Sequence, residues 1–151
     1  MRDYLKAVGW LMVLIFVVPG LLLLLWAALP ARGPTYDFVL WYGGFLLVEF
    51  VAATLIVAVL AVWRLPSLAR ALIAALVVYA VSLVMPIASP LARYPLHVVR
   101  CGGAPVVATD FASARSYRTP DSSAYAVTPL DSTFFCTPEA ADHAGYRRSN
   151  L

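Results

Sequence analysis

The chain has 151 residues, 62% of them apolar and 13% charged, with a formal charge of +3. Soluble domains are about 45 to 50% apolar and about 25% charged, so an ordinary water-soluble enzyme and a disordered chain are both excluded. The excess is uneven: between Ala7 and Ala92 the only charges are Arg32, Asp37, Glu49, Arg64 and Arg70, whereas the segment after Leu91 approaches soluble composition. The basic residues make no stripe that tracks a phosphate backbone, so no nucleic-acid partner is expected. Richness in Ala, Val and Leu, with Lys6 the lone lysine among many arginines, matches a GC-rich bacterial genome.

The first long feature is the uncharged run from Ala7 to Leu29. At 1.5 Å per residue it crosses a hydrocarbon core of about 30 Å. Arg2 and Lys6 give it a short basic start, as in a signal peptide. The run is longer than the 7 to 15 apolar residues of such a leader, however, and Trp26-Ala27-Ala28-Leu29-Pro30 has no small-x-small cleavage pattern. It reads as an uncleaved span. A second run covers residues 38–63, interrupted only by Glu49, and a third covers 71–89. The connections 30–37, with Pro30, Gly33 and Pro34, and 64–70, with Arg64, Pro66 and Arg70, are short enough to require antiparallel neighbours. The expected fold is therefore an all-α membrane unit of three antiparallel transmembrane helices, followed by a small disulfide-stapled α+β domain at 90–151.

Positive residues are retained on the cytoplasmic side of a membrane. Arg2, Lys6, Arg64 and Arg70 fall on one side, and Arg32, Arg93 and Arg100 on the other, which places the N-terminus (1–6) in the cytoplasm. Cys101 and Cys136 both lie in the polar tail, and a cysteine pair confined to one small segment reads as a disulfide in an oxidising compartment. Both arguments put the C-terminal domain on the extracytoplasmic side of a bacterial plasma membrane. Trp10, Trp26, Trp41 with Tyr42, and Trp63 fall near span ends, as interfacial aromatics do.

Glu49 is the sharpest single residue, because it sits near the middle of the second span, where a carboxylate costs a few kcal/mol unless it is neutral, paired or facing a cavity. Tyr79 and Ser82 of the third span are its candidate hydrogen-bond partners. The competing functional reading is a proton or cation relay. Pro19-Gly20 and Pro86 are expected to kink their helices. Gly43-Gly44 is expected to admit a close neighbour, and Ala71 with Ala75 forms a small-x-x-x-small pair whose face continues through Val78 and Ser82.

In the tail, Pro95, Pro105, Pro120, Pro129 and Pro138 divide the chain into short pieces. The reading is an apolar run 104–108, a helical turn around 111–117, and extended stretches 124–128 and 132–136 joined by a turn at Pro129-Leu130-Asp131. A short helix 138–144 follows, with Thr137 as N-cap, Pro138 in the first turn, Glu139 on the positive end of the dipole and Gly145 as terminator. The core is expected to use Phe111, Tyr117, Tyr125, Phe134, Phe135 and Tyr146. A domain this small ordinarily needs a staple. The stretch from Phe134 through Cys136-Thr137-Pro138-Glu139 to Arg148 resembles the strand-then-helix end of the small zinc domain of Ada-type DNA repair proteins. It lacks the cysteines that hold zinc in that family, so the resemblance implies a strand followed by a helix and no repair chemistry.

A metal site built from His97, Cys101, Cys136 and His143 is the rival to the disulfide, but the spacings His-x3-Cys and Cys-x6-His do not match a zinc knuckle. No serine stands in a Gly-x-Ser-x-Gly context. Asp110, Asp121 and Asp131 sit in turn-like surroundings. No catalytic residue and no cofactor are expected. The expected function is a non-enzymatic accessory or interaction subunit of a bacterial envelope complex, embedded in the lipid bilayer and acting on another membrane or envelope protein or on further copies of itself. The alternative is an oligomeric transporter or proton-coupled channel subunit that uses Glu49.

Overall fold

The computed structural model describes residues 2–21, 35–63, 65–110 and 115–149. Residues 22–29 of the first expected span with Trp26, residues 30–34 of the turn expected at 30–37, Arg32 and Arg64 of the charge count, and Phe111 lie outside them. Among the described residues, three helices are long and apolar enough to cross a membrane: α1 (Arg2–Leu21), α2 (Tyr36–Leu60) and α3 (Ser67–Val84). They pack against one another through small and β-branched residues, with Ala7, Leu11 and Ile15 of α1 meeting Ala53 and Val57 of α2 and Ala71, Ala74 and Val78 of α3. Small side chains let helix backbones approach where lipid removes the usual hydrophobic drive. The opposite faces carry Leu47, Val51, Leu55, Val59, Leu72, Leu76 and Val81 outward. That apolar exterior is what a lipid-facing surface requires.

Two prolines act differently from the expected kinks. In α1 the ladder widens to a π-helical turn at Val13–Val17, where Val18 N–H reaches the Val13 carbonyl. Pro19 follows directly; it has no N–H and its ring crowds the carbonyl four residues back, and the wider turn accommodates both. Pro86 ends α3 outright. The residue before a proline is pushed out of the helical region, and Met85 is extended at φ −76°, ψ 120°.

Among the described residues, a Cβ at Gly43 or Gly44 would meet nothing within 4 Å. On α3 the buried face runs through Ala71, Ala74, Val78 and Ser82, with Ala75 half-buried at its margin. This face is consumed inside the three-helix unit.

The tail begins with a helix that the sequence reading missed, α4 (Ser89–Cys101). Pro90 suits its first turn, and Gly102 closes it at φ 68°. Pro95 lies inside it. A four-stranded sheet follows in the order β3 (Thr133–Phe135), β1 (Val106–Thr109), β2 (Ser116–Arg118), β4 (Arg147–Arg148). β1 is antiparallel to both β2 and β3, and β2 is parallel to β4. The helical turn expected around 111–117 is therefore a strand in its described part, because Tyr117 pairs with Ala108 in the ladder.

The stretch 132–136 does form a strand, but its partner is β1 and not 124–128. Val107 faces Phe134 across the ladder, and Val106 faces Phe135. Tyr125, Ala126 and Val127 are instead buried as irregular chain. The turn between them is closed by Ser132, whose Oγ accepts from Thr128 N–H and donates to Thr128 O, each at 3.0 Å.

Helix α5 (Pro138–His143) is capped by Thr137, whose Oγ1 accepts from Ala140 N–H at 3.3 Å. Gly145 follows at φ 87°, a conformation that costs other residues. Strand β3 and helix α5 thus give the strand-helix shape that the local resemblance implied.

Strand period two divides the sheet's contacts. Val106, Ala108 and Tyr117 pack with Ala141 of α5, Phe135 and Tyr146. Val107 and Phe134 point the other way, into a cluster with Leu91 and Tyr94 of α4, Phe38 and Tyr42 of α2, and Tyr125 and Val127. The domain is thus seated on the end of the bundle where α2 begins and α3 finishes.

Candidate functional site

Glu49 lies on the buried stripe of α2 formed by Phe38, Tyr42, Glu49, Ala53 and Val57, and Ser82 lies on the buried face of α3. The antiparallel packing brings the two together. Ser82 Oγ donates a hydrogen bond to Glu49 Oε1, and both residues are under 9% exposed. Tyr79, the other candidate partner, donates its hydroxyl to the Ala92 carbonyl at 2.8 Å. It ties α3 to α4. The buried acid is therefore met within its own three-helix unit by a hydroxyl donor.

The second constellation is the joint between α2 and the domain. Thr35 N-caps α2 by accepting from Phe38 N–H at 3.1 Å, and its hydroxyl also donates to the Tyr125 carbonyl. Phe38 stacks on Tyr42 at 5.4 Å and on Tyr125 at 6.1 Å, and meets Tyr94 at 5.2 Å. Tyr125 Oη donates to the Pro105 carbonyl at 2.7 Å and lies 3.3 Å from the Tyr94 hydroxyl. Burial pushes the Tyr94 hydroxyl up to about 12, and burial together with the neighbouring Tyr94 raises Tyr125 further. Both hydroxyls are neutral at physiological pH. Tyr42 is thus part of this joint and not an interfacial anchor.

Cys101 at the end of α4 is bonded to Cys136 just after β3, with Cα atoms 5.1 Å apart. The bond fastens the sheet to α4, which the aromatic joint fastens to α2. His97 packs its ring on Phe134 at 4.9 Å. Burial first, then Arg100 and Arg93, hold the imidazole below its ordinary 6.5. With both sulfurs committed to each other, the His97, Cys101, Cys136, His143 set has no thiolate to offer a metal.

The tail carboxylates serve the fold. Asp131 accepts from Thr109 Oγ1 at 2.8 Å and from Asp110 N–H at 3.1 Å. Asp110 accepts from Tyr146 Oη at 3.0 Å, and Asp121 pairs with Arg148 at 3.5 Å. Of the aromatics expected to form one core, Tyr125 and Phe134 face the bundle while Tyr117, Phe135 and Tyr146 face α5.

The sequence reading missed Phe38, Tyr42 and Tyr94 as parts of the domain's foundation. The available signal was the spacing of Leu91, Tyr94 and Val98, an apolar stripe at helical period obscured by Pro95. Comparison with protein-family models, curated proteins and solved structures finds no match to this chain.

Proposed function

We propose that the protein is a non-enzymatic interaction subunit of a bacterial envelope complex. In this reading α1, α2 and α3 cross the plasma membrane with the N-terminus cytoplasmic, and the stapled domain stands on the extracytoplasmic face to engage a partner protein. The observation that carries the reading is the joint of Thr35, Phe38, Tyr94 and Tyr125, which fixes the domain on the bundle. A domain tethered only for anchorage needs no such seat, whereas one that presents a surface at a defined height and angle does.

The disulfide supports placement in an oxidising compartment, and the lysine and arginine count of the loops supports the same orientation. The Ser82 donor to Glu49 supports a packing role for the acid.

Chemical crosslinking in intact cells, followed by purification in mild detergent and mass spectrometry, tests the proposal. A stoichiometric complex joined through residues of the C-terminal domain is the expected result. Recovery of the isolated protomer alone would overturn it. The transporter alternative has its own discriminating result: a proton or cation flux in liposomes that Glu49→Gln abolishes.

A further inference from the structure

Helix α4 has two unlike faces. Leu91 and Tyr94 are buried against the bundle and sheet, while Arg93, Leu96, His97 and Arg100 recur at i, i+3, i+4 and i+7 on another side. With Leu83 and Val84 from the last turn of α3, these four line a groove of about 450 Å³. Its position follows from the helix it adjoins. α3 is of membrane-crossing length and ends at Val84, so the groove lies where hydrocarbon gives way to headgroups. Val84, Ile87 and Leu96 are well exposed around it.

The charge in the groove is one-signed. Among the described residues the ion pairs are Arg115 with Asp110 and Arg148 with Asp121, and neither Arg93 nor Arg100 has a carboxylate partner. Arg93 Nη2 donates to the Leu83 carbonyl at 3.4 Å, which holds α4 to the end of α3 and leaves further guanidinium donors. Burial first, and after it the adjacent Arg100 and Arg93, lower the basicity of His97, so the imidazole adds no opposite charge to the groove.

We propose that this groove binds the headgroup of an anionic phospholipid, with Arg93 and Arg100 on the phosphate and Leu83, Val84 and Leu96 against the upper acyl chain. Two guanidiniums two turns apart on one helix face suit a phosphodiester. The apolar half of the groove has a use only if the anion carries a chain, which favours lipid over free phosphate. Juxtamembrane cations each add about fivefold to binding of acidic lipid. The inference rests on the chain's being embedded in a bilayer and is independent of any partner protein.

Native mass spectrometry of the full-length protein in neutral detergent, incubated with equal amounts of phosphatidylglycerol and phosphatidylcholine, tests it. The wild-type protein is expected to retain phosphatidylglycerol preferentially. Arg100→Gln lowers that preference about fivefold, and Arg93→Gln with Arg100→Gln lowers it about twenty-fivefold. Arg147→Gln with Arg148→Gln, remote in the sheet, leaves it unchanged. Should the double variant fail to fold, Arg100→Gln carries the test, since the Arg100 side chain is exposed and holds no other element. Equal retention of the two lipids by the wild type, or a preference unaffected by Arg100→Gln, overturns the proposal. Displacement of phosphatidylglycerol by an equal concentration of inorganic phosphate overturns it in favour of a free-anion site.

Discussion

Thr35 and Tyr125, ninety positions apart, are joined by a hydrogen bond from the Thr35 hydroxyl to the Tyr125 carbonyl. The same hydroxyl accepts from Phe38 N–H and caps α2, so one side chain starts a membrane-length helix and holds down the domain above it. Thr35→Val removes both interactions while keeping the shape, and is expected to cost about 2 kcal/mol, roughly 1 for the cap and roughly 1 for the tie. Thr35→Ser keeps both and stays within about 0.5 kcal/mol of wild type. Thermal unfolding in detergent, with hydrogen exchange at residues 124–127, separates the two variants.

The Cys101 to Cys136 bond spans 35 positions, and closing a loop of that size stabilises by about 3 to 4 kcal/mol in the chain-entropy model. Replacing both cysteines with Ala is expected to render the C-terminal domain protease-sensitive while leaving the helical signal of α1 to α3 in place. Thiol reagents applied to intact cells should label the wild-type protein only after reduction. Labelling of either cysteine without reductant contradicts the staple.

Ser82 donates to Glu49 inside the bundle. Ser82→Ala leaves the carboxyl without this donor and is expected to cost about 1 kcal/mol, the scale of inter-helix hydrogen bonds in membranes. Glu49→Gln keeps an acceptor oxygen for Ser82 and removes the ionisable group, so stability is expected to be unchanged or slightly raised. A double-mutant cycle of Glu49→Ala, which removes the acceptor, and Ser82→Ala, read by unfolding in mixed micelles, gives the coupling. A coupling near zero contradicts the pairing.

The pH dependence has two limbs of known sign. His97 titrates lower in the folded protein than its ordinary 6.5, so the unfolded chain binds the proton first, and stability is intact above about 6.5 and declines as pH falls through the folded value. Tyr94 and Tyr125 are raised above 10 by burial, so their contribution is present below 10 and is lost as pH rises through the folded values. Melting temperatures measured across both ranges check this. His97→Gln flattens the acid limb, and Tyr125→Phe, which also gives up the 2.7 Å bond to the Pro105 carbonyl, shrinks the alkaline one.

The three apolar helices, the disulfide and the helix behind Thr137 were legible because each rests on a local signal: an uncharged run, a confined cysteine pair, a capping residue. α4 was not legible, because Pro95 reads as a breaker and the helix is sustained by tertiary packing of Leu91 and Tyr94 against α2. The partner of Thr133–Phe135 was equally hidden. Short strands with similar turns fit several ladders, and the choice of Val106–Ala108 is made by which face of the sheet meets the bundle. Glu49 was conspicuous from its surroundings alone, yet choosing Ser82 over Tyr79 required the register between α2 and α3. The basic groove was invisible for the same reason as α4: Arg93 and Arg100 fall on one face only once that helix exists.

The central claim is that the seated C-terminal domain, and not the membrane helices alone, engages another protein. Photo-crosslinking in living cells tests it most directly, with the crosslinking residue placed in turn at Leu130, which is 66% exposed on the domain, and at Leu55, which is 65% exposed on α2. The expected result is a discrete protein adduct from Leu130 that disappears when Cys101 and Cys136 are both replaced. Adducts from Leu55 alone, or from neither position, would contradict it.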